Sequence, residues 1–221
     1  MRAVTADVPR PGLRERKKQM TRQGILDAAE HLFSEHGYEG VTVAQIADRA
    51  NVSVKTLFKY FDSKEDLVFA GEADVQDALC DAVREREVGQ SPLDAVRVFL
   101  KDLAAADEHA NGIEAFHTAF GGVPQLRARL LLMYERFEQA LAHVLAEESE
   151  SGAGHPAPRL VAAQLISLFR LVTSEEARER VASASADERL NALNAWIDES
   201  AALLAEGLAG YGIERAPLPP D

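Results

Sequence analysis

Residues 42–67 read TVAQIADRANVSVKTLFKYFDSKEDL. Thr42 followed three residues later by Gln45 is a capping box, in which each side chain satisfies a backbone N–H the other end leaves open. Val41 before the cap and Ile46 inside the helix have the spacing of a hydrophobic staple. A helix is therefore predicted from Val43 to about Ala50. Asn51-Val52 makes a short turn, and Ser53 is the N-cap of a third helix running through Phe61. Val52 and Leu57 repeat the staple. Ser63, with Glu65 and Asp66 behind it, starts a fourth helix. Two short helices joined by a turn of about 3–4 residues make a helix-turn-helix.

Working outward, Ile25, Ala28, Ala29, Leu32 and Phe33 recur at helical spacing and give a first helix from about Lys18 to His36. Gly37 is placed to end it. Residues 1–17 contain Pro9, Pro11 and Gly12 and read as a flexible basic arm. Leu67, Val68, Val75, Leu79 and Val83 predict that the fourth helix is long and reaches about Glu87. Ser91-Pro92 opens another helix, to about Glu108. A short segment follows from Ile113 to Phe120, then a long helix from Pro124 to Glu150. Gly152 to Pro158 reads as a linker. Two last helices fit Ala157 to Thr173, extended toward Ser183, and Ala186 to Ala209, the latter capped by Ser185 and Glu188. Residues 216–221 are a Pro-rich tail, read as disordered. No strand alternation or internal repeat interrupts this pattern. The chain is expected to be all-α, with a helix-turn-helix domain over residues 18–66 and a larger helical domain over residues 67–215.

The 221 residues are 47% hydrophobic and 27% charged, an ordinary globular composition. The net charge of −12 is unevenly spread. Residues 1–64 hold 11 Lys and Arg against 8 Asp and Glu, whereas the remainder holds 13 against 28. A nucleic-acid footprint needs a local basic patch, not a basic protein. Charge alone fits a solvated tail equally well. No apolar run is long enough to span a bilayer, and Met1 to Arg10 has no apolar signal core, so no membrane association and a cytoplasmic location are expected. The lone Cys80, beside Asp77 and Asp81, cannot form an intrachain disulfide and is read as an inert thiol.

On the third helix, Leu57 and Phe61 share one side, with Tyr60 beside them, while Lys55 and Lys59 share the other. Phe58 lies between. One edge can pack on the preceding helix while the other offers donors to base edges and phosphates in a major groove. Lys64, at the start of the fourth helix, is placed to hold a phosphate. The wheel by itself also fits any helical hairpin with two surface lysines. The ordered string does more. Thr21, Ile25-Leu26, Ala28-Ala29, Leu32-Phe33 and Gly37-Tyr38 lead into Thr42-Val43, Ile46-Ala47, Ala50 and Val52-Ser53. Thr56-Leu57-Phe58, Tyr60-Phe61 and Ser63-Lys64-Glu65-Asp66-Leu67 complete it. Over about residues 18–68 this resembles the N-terminal domain of the TetR family of repressors. The resemblance implies that Thr42 contacts a phosphate, that Val54, Lys55 and Thr56 read bases, and that Tyr60 and Lys64 hold phosphates. Phe58 stands where the family often has tyrosine, so an apolar contact to a thymine methyl replaces a hydrogen bond. Arg14, Arg16, Lys17 and Lys18 resemble the arm that some members lay in the adjacent minor groove.

The larger helical part resembles the family only in outline, which implies an effector pocket and a dimer interface. Candidate pocket residues are Phe99, Phe116, His117, Phe120, Met133, Tyr134 and Phe137, each of which also fits plain core packing. The helices at 157–173 and 186–209 carry apolar residues on more than one face, as expected of a four-helix contact across a two-fold axis. Leu165, Phe169, Trp196, Leu203 and Leu204 are the candidate interface residues. Glu114 and His117 lack an evident third ligand, so no metal and no cofactor are expected. With no glycine-rich phosphate loop and no nucleophile elbow, an enzyme is not expected. The expected function is a homodimeric repressor that binds double-stranded palindromic operator DNA and is released by a small, largely apolar or aromatic effector. The alternative is a helical dimeric interaction protein that has lost operator binding.

Overall fold

A computed structural model describes residues 12–106, 123–148 and 155–207. Every regular element among them is helical, and the chain divides into two compact units, residues 1–70 and 71–221.

In the first unit, α1 spans Leu13–His36, α2 Val43–Arg49, α3 Val54–Leu57 and α4 Glu65–Val68. Ile25, Ala28, Ala29 and Leu32 form the buried face of α1. They meet Val41, Ile46, Ala47, Leu57, Phe61 and Leu67 in one core. Gly37 ends α1 with φ of 71°, a left-handed value that glycine adopts without strain, and its N–H donates to the Phe33 carbonyl. At Gly40 the obstacle is steric: a Cβ would stand 2.4 Å from the His36 carbonyl oxygen. Both halves of the α2 capping box are made, with the Thr42 N–H donating to Gln45 Oε1 at 2.7 Å. The turn passes through Asn51 at φ of 53°, a region asparagine tolerates better than most side chains.

Three expectations change here. Residues 13–17, read as a flexible arm, begin α1, because Leu, Arg, Glu and Lys are strong helix formers and the Arg16 N–H bonds to the Gly12 carbonyl. The third helix stops at Leu57 instead of Phe61; the Leu57 carbonyl accepts from both Tyr60 and Phe61 N–H, the tightened turn common at helix ends. The long fourth helix is broken. Phe69 leaves helical geometry (φ −98°, ψ 18°) with its ring buried, and Gly71 caps a separate helix that follows.

In the second unit, α5 spans Glu72–Arg84, α6 Pro92–Ala106, α7 Pro124–Glu147, α8 Ala157–Val172, α9 Glu175–Ala182 and α10 Arg189–Glu206, the last preceded by a 3-10 turn at Ala186–Glu188. The expected extension beyond Thr173 is a helix in its own right, capped by Ser174. α7 packs along α8, α6 along α10, and α5 against α6 and α7. Leu79, Val83, Val96, Phe137, Leu141, Ile166, Leu168 and Ile197 are fully buried among them. Polar straps tie these helices together: Arg86 grips Glu148 with two bonds, at 2.9 and 2.7 Å. Arg97 and Lys101 of α6 hold Asp198 of α10 at 3.0 and 2.6 Å. Among the described residues no helix is long and apolar enough to cross a membrane.

Candidate nucleic-acid interface

The α2-turn-α3 segment is built so that one side is buried and the other is left open. Leu57 is 0% exposed, and Phe61 is buried beside it. This pins α3 by the edge facing α1 and α2. The Ser53 hydroxyl accepts from the Thr56 N–H at 3.1 Å and pairs with the Thr56 hydroxyl at 2.8 Å, so a helix of only four residues is closed at its start. On the open side stand Val54 and Phe58, 39% and 46% exposed, with Lys55 and Lys59. Ser53 and Thr42 are also exposed, while Thr56 and Tyr60 are half-buried. An exposed ring at Phe58 has no solvent partner to gain; its edge suits an apolar base group.

Two expected contacts are placed differently. Arg14, Arg16, Lys17 and Lys18 are exposed but helical. A helix is about 10–12 Å across with its side chains, and the minor groove is only about 6 Å wide, so a contact from this stretch is made by side chains reaching from a helix and not by an extended arm. Lys64 does not project freely either. Its ammonium donates to the Tyr38 carbonyl and sits 3.9 Å from the centre of the Tyr38 ring. Tyr38 has no contact role in the sequence reading; its partner is 26 residues away, beyond any local pattern. Arg22, likewise unassigned, lies over the Phe61 ring at 5.2 Å and donates to the Ala70 carbonyl.

In the second unit, Phe137 is fully buried and packs edge-on against Phe169, with ring centres 5.9 Å apart. Phe99 approaches the same Phe169 ring at 6.1 Å and is half-buried, as is Met133. Tyr134 is buried, its hydroxyl bonded to Thr173 and its ring under Arg170. Burial pushes the Tyr134 hydroxyl and the Cys80 thiol up from their ordinary values. Phe116, His117, Phe120 and Glu114 lie outside the described residues, as do residues 1–11, the segment at 113–120 and the tail at 216–221. No group of three or more metal-ligating side chains occurs among the described residues.

The expected dimer residues divide. Leu165 and Phe169, only 3% and 5% exposed, belong to the core of the single chain and have no surface left for a partner, so their place at an interface is corrected. Leu203 is 60% exposed, and Trp196 and Leu204 are half-buried. The Trp196 indole N–H donates to the Leu171 carbonyl at 3.1 Å, joining α10 to the end of α8. Leu160, Leu171 and Leu190 add exposed apolar surface on the same two helices.

The family described as bacterial regulatory proteins, tetR family, matches over residues 25–70. The HTH-type transcriptional regulator TcmR of Streptomyces glaucescens is 31% identical, over 75% of this chain and 76% of its own. The nucleoid occlusion factor SlmA of Vibrio vulnificus is 30% identical, over 72% of this chain and 87% of its own. Among solved structures, Thermus thermophilus FadR, a TetR-family transcriptional repressor in complex with lauroyl-CoA, shares the fold. Its TM-score is 0.54 at 24% identity, over 90% of this chain and 100% of that one.

Proposed function

The chain belongs to the TetR family of bacterial regulatory proteins, and from that premise we propose a homodimeric repressor that binds a palindromic operator and is released by a small, largely apolar or aromatic effector. The observation that carries this reading is α3. It is capped at Ser53 and anchored by Leu57, and it presents Val54, Lys55, Phe58 and Lys59 on its open side. In this reading Val54, Lys55 and Thr56 meet base edges, Phe58 meets a thymine methyl, and Thr42, Ser53, Lys59, Tyr60 and Lys64 meet phosphates. The helical run Arg14 to Lys18 meets phosphates from outside the grooves.

A two-fold dimer places two such helices on half-sites about one helical turn apart, or somewhat more. Leu203, Trp196 and Leu204 supply the partner-facing surface, with Leu160 and Leu171. The effector site is proposed beside Phe99, Met133, Tyr134 and Phe137, with Phe116, His117 and Phe120 from the segment between α6 and α7. An effector acts only through its differential affinity for two conformers, with couplings of about 1–3 kcal/mol. Linkage then requires operator DNA to weaken effector binding by the same factor.

The test is operator selection from random duplexes with the full chain, followed by salt titration of the selected site. Recovery of inverted repeats, bound with a steep salt dependence, is the expected result. A dimer that enriches no sequence would favour the interaction protein without operator binding. Selection of single, asymmetric half-sites at dimer concentrations would refute the two-fold arrangement.

A further inference from the structure

The open side of α3 is poor in hydrogen-bond acceptors. Residues 53–59 read SVKTLFK and contain no Asp, Glu, Asn, Gln or His. The side-chain oxygens of this stretch are the Ser53 and Thr56 hydroxyls, which pair with each other at 2.8 Å. The Ser53 oxygen also accepts from the Thr56 N–H. On α2, the Gln45 amide oxygen is engaged by the Thr42 N–H and hydroxyl, at 2.7 and 2.8 Å. What α3 turns outward is two ammonium groups, on Lys55 and Lys59, which only donate, and two apolar side chains, Val54 and Phe58.

The two apolar side chains form a pair. The Phe58 N–H bonds to the Val54 carbonyl at 3.0 Å, so they stand one helical turn apart on the same face. Both are exposed, although Leu57, next to Phe58, is fully buried. A single exposed apolar residue is ordinary on a protein surface. Two in register beside the lysines give this face a chemistry of its own. In the major groove a base pair shows one alkyl group, the 5-methyl of thymine. Adenine and cytosine are marked there by amino donors, which need an acceptor, and guanine by O6 and N7, which take donors. A face of donors and apolar groups therefore distinguishes guanine and thymine, and has little with which to greet the amino groups of adenine and cytosine.

Resting on the reading of this unit as the operator-binding one, we propose that each half-site is recognised through two pyrimidine 5-methyl groups, one against Val54 and one against Phe58, beside a guanine held by Lys55. The recognised group is the methyl itself, not thymine as a base. 5-Methylcytosine carries the same methyl on the same ring carbon, so α3 reads it as it reads thymine. Cytosine methylation at these positions therefore strengthens binding to a site that unmodified cytosine weakens.

The test uses the full chain and its selected operator, in which each thymine is replaced in turn by uracil, which lacks only the methyl. Burying one such group is worth roughly fourfold in affinity. Two positions in each half-site should lose about that much, and the remaining thymines nothing. Val54→Ala should remove most of the loss at one position and Phe58→Ala at the other, because the methyl then has no partner. At either position 5-methylcytosine should be bound roughly fourfold more tightly than cytosine, a comparison that needs no variant protein. Uracil operators bound as tightly as thymine operators would overturn the proposal, and so would equal binding of cytosine and 5-methylcytosine. A uracil loss that persists in the Val54→Ala/Phe58→Ala pair would place the methyl effect in the deformability of the DNA and overturn it as well. A wild type that binds no duplex removes the operator reading itself, an outcome distinct from all of these.

Discussion

Leu57→Ala is the substitution that bears most directly on how α3 is held. Leu57 is 0% exposed and packs with Ile25, Ala28, Ile46 and Phe61 in the core of the first unit. Removing its branched end deletes buried methyl groups and leaves a cavity, which costs about 2–5 kcal/mol. A unit of about 60 residues is stable by only about 3–9 kcal/mol. The variant should therefore leave the first unit partly unfolded near physiological temperature. The second unit has its own core and should keep its stability. Calorimetry should show an early transition split from a later, unchanged one. Operator affinity by fluorescence anisotropy should fall by the reciprocal of the surviving folded fraction. Leu57→Met, which conserves volume, should cost less than about 1.5 kcal/mol and restore most binding. Wild-type melting and wild-type affinity in Leu57→Ala would refute the anchoring role. A single transition shifted as a whole would refute the energetic independence of the two units.

Other expectations follow from the same geometry. Lys55→Ala should relax base preference at one operator position by about 1–3 kcal/mol, which competition with single-base operator variants measures. Leu203→Glu places a charge on exposed apolar surface and should give a folded monomer by sedimentation; Leu165→Glu, in the core, should unfold the second unit instead. Arg86 holds the Glu148 carboxyl below its ordinary 4.5, and Lys101 and Arg97 hold Asp198 below 3.8. Both carboxylates therefore add stability above those ordinary values, and that contribution is lost as pH falls through the lower, folded ones. Arg86→Ala and Lys101→Ala should flatten the acid limb of urea midpoints measured against pH; an unchanged limb would show that these straps contribute nothing.

What the sequence discloses tracks the range of each interaction. The α2 and α3 starts are written in residues three apart, Thr42 with Gln45 and Ser53 with Thr56, so their caps are readable in order. The fourth helix reads as continuous because Leu67, Val68, Val75 and Leu79 keep a helical period across a break that the period does not register. Burial of Phe69 and the cap at Gly71 decide it. Apolar periodicity on α8 identifies Leu165 and Phe169 as buried but does not say by what; the answer is α6, α7 and α10 of the same chain. The basic run at the start is legible as charge, while the neighbouring Pro11 and Gly12 mask its helical propensity. The tie between Lys64 and Tyr38 joins residues too far apart for any local pattern to carry.

The turn between α1 and α2 also has a genetic consequence. Gly37 is closed to side chains by its dihedral angle and Gly40 by the His36 carbonyl, two unrelated obstacles within one short turn. Every missense change at either codon installs a Cβ, so no conservative replacement exists at these positions. If the chain represses as proposed, a selection for constitutive expression should return alleles at these two codons. Such alleles would map beside the codons proposed to read the operator while altering none of them.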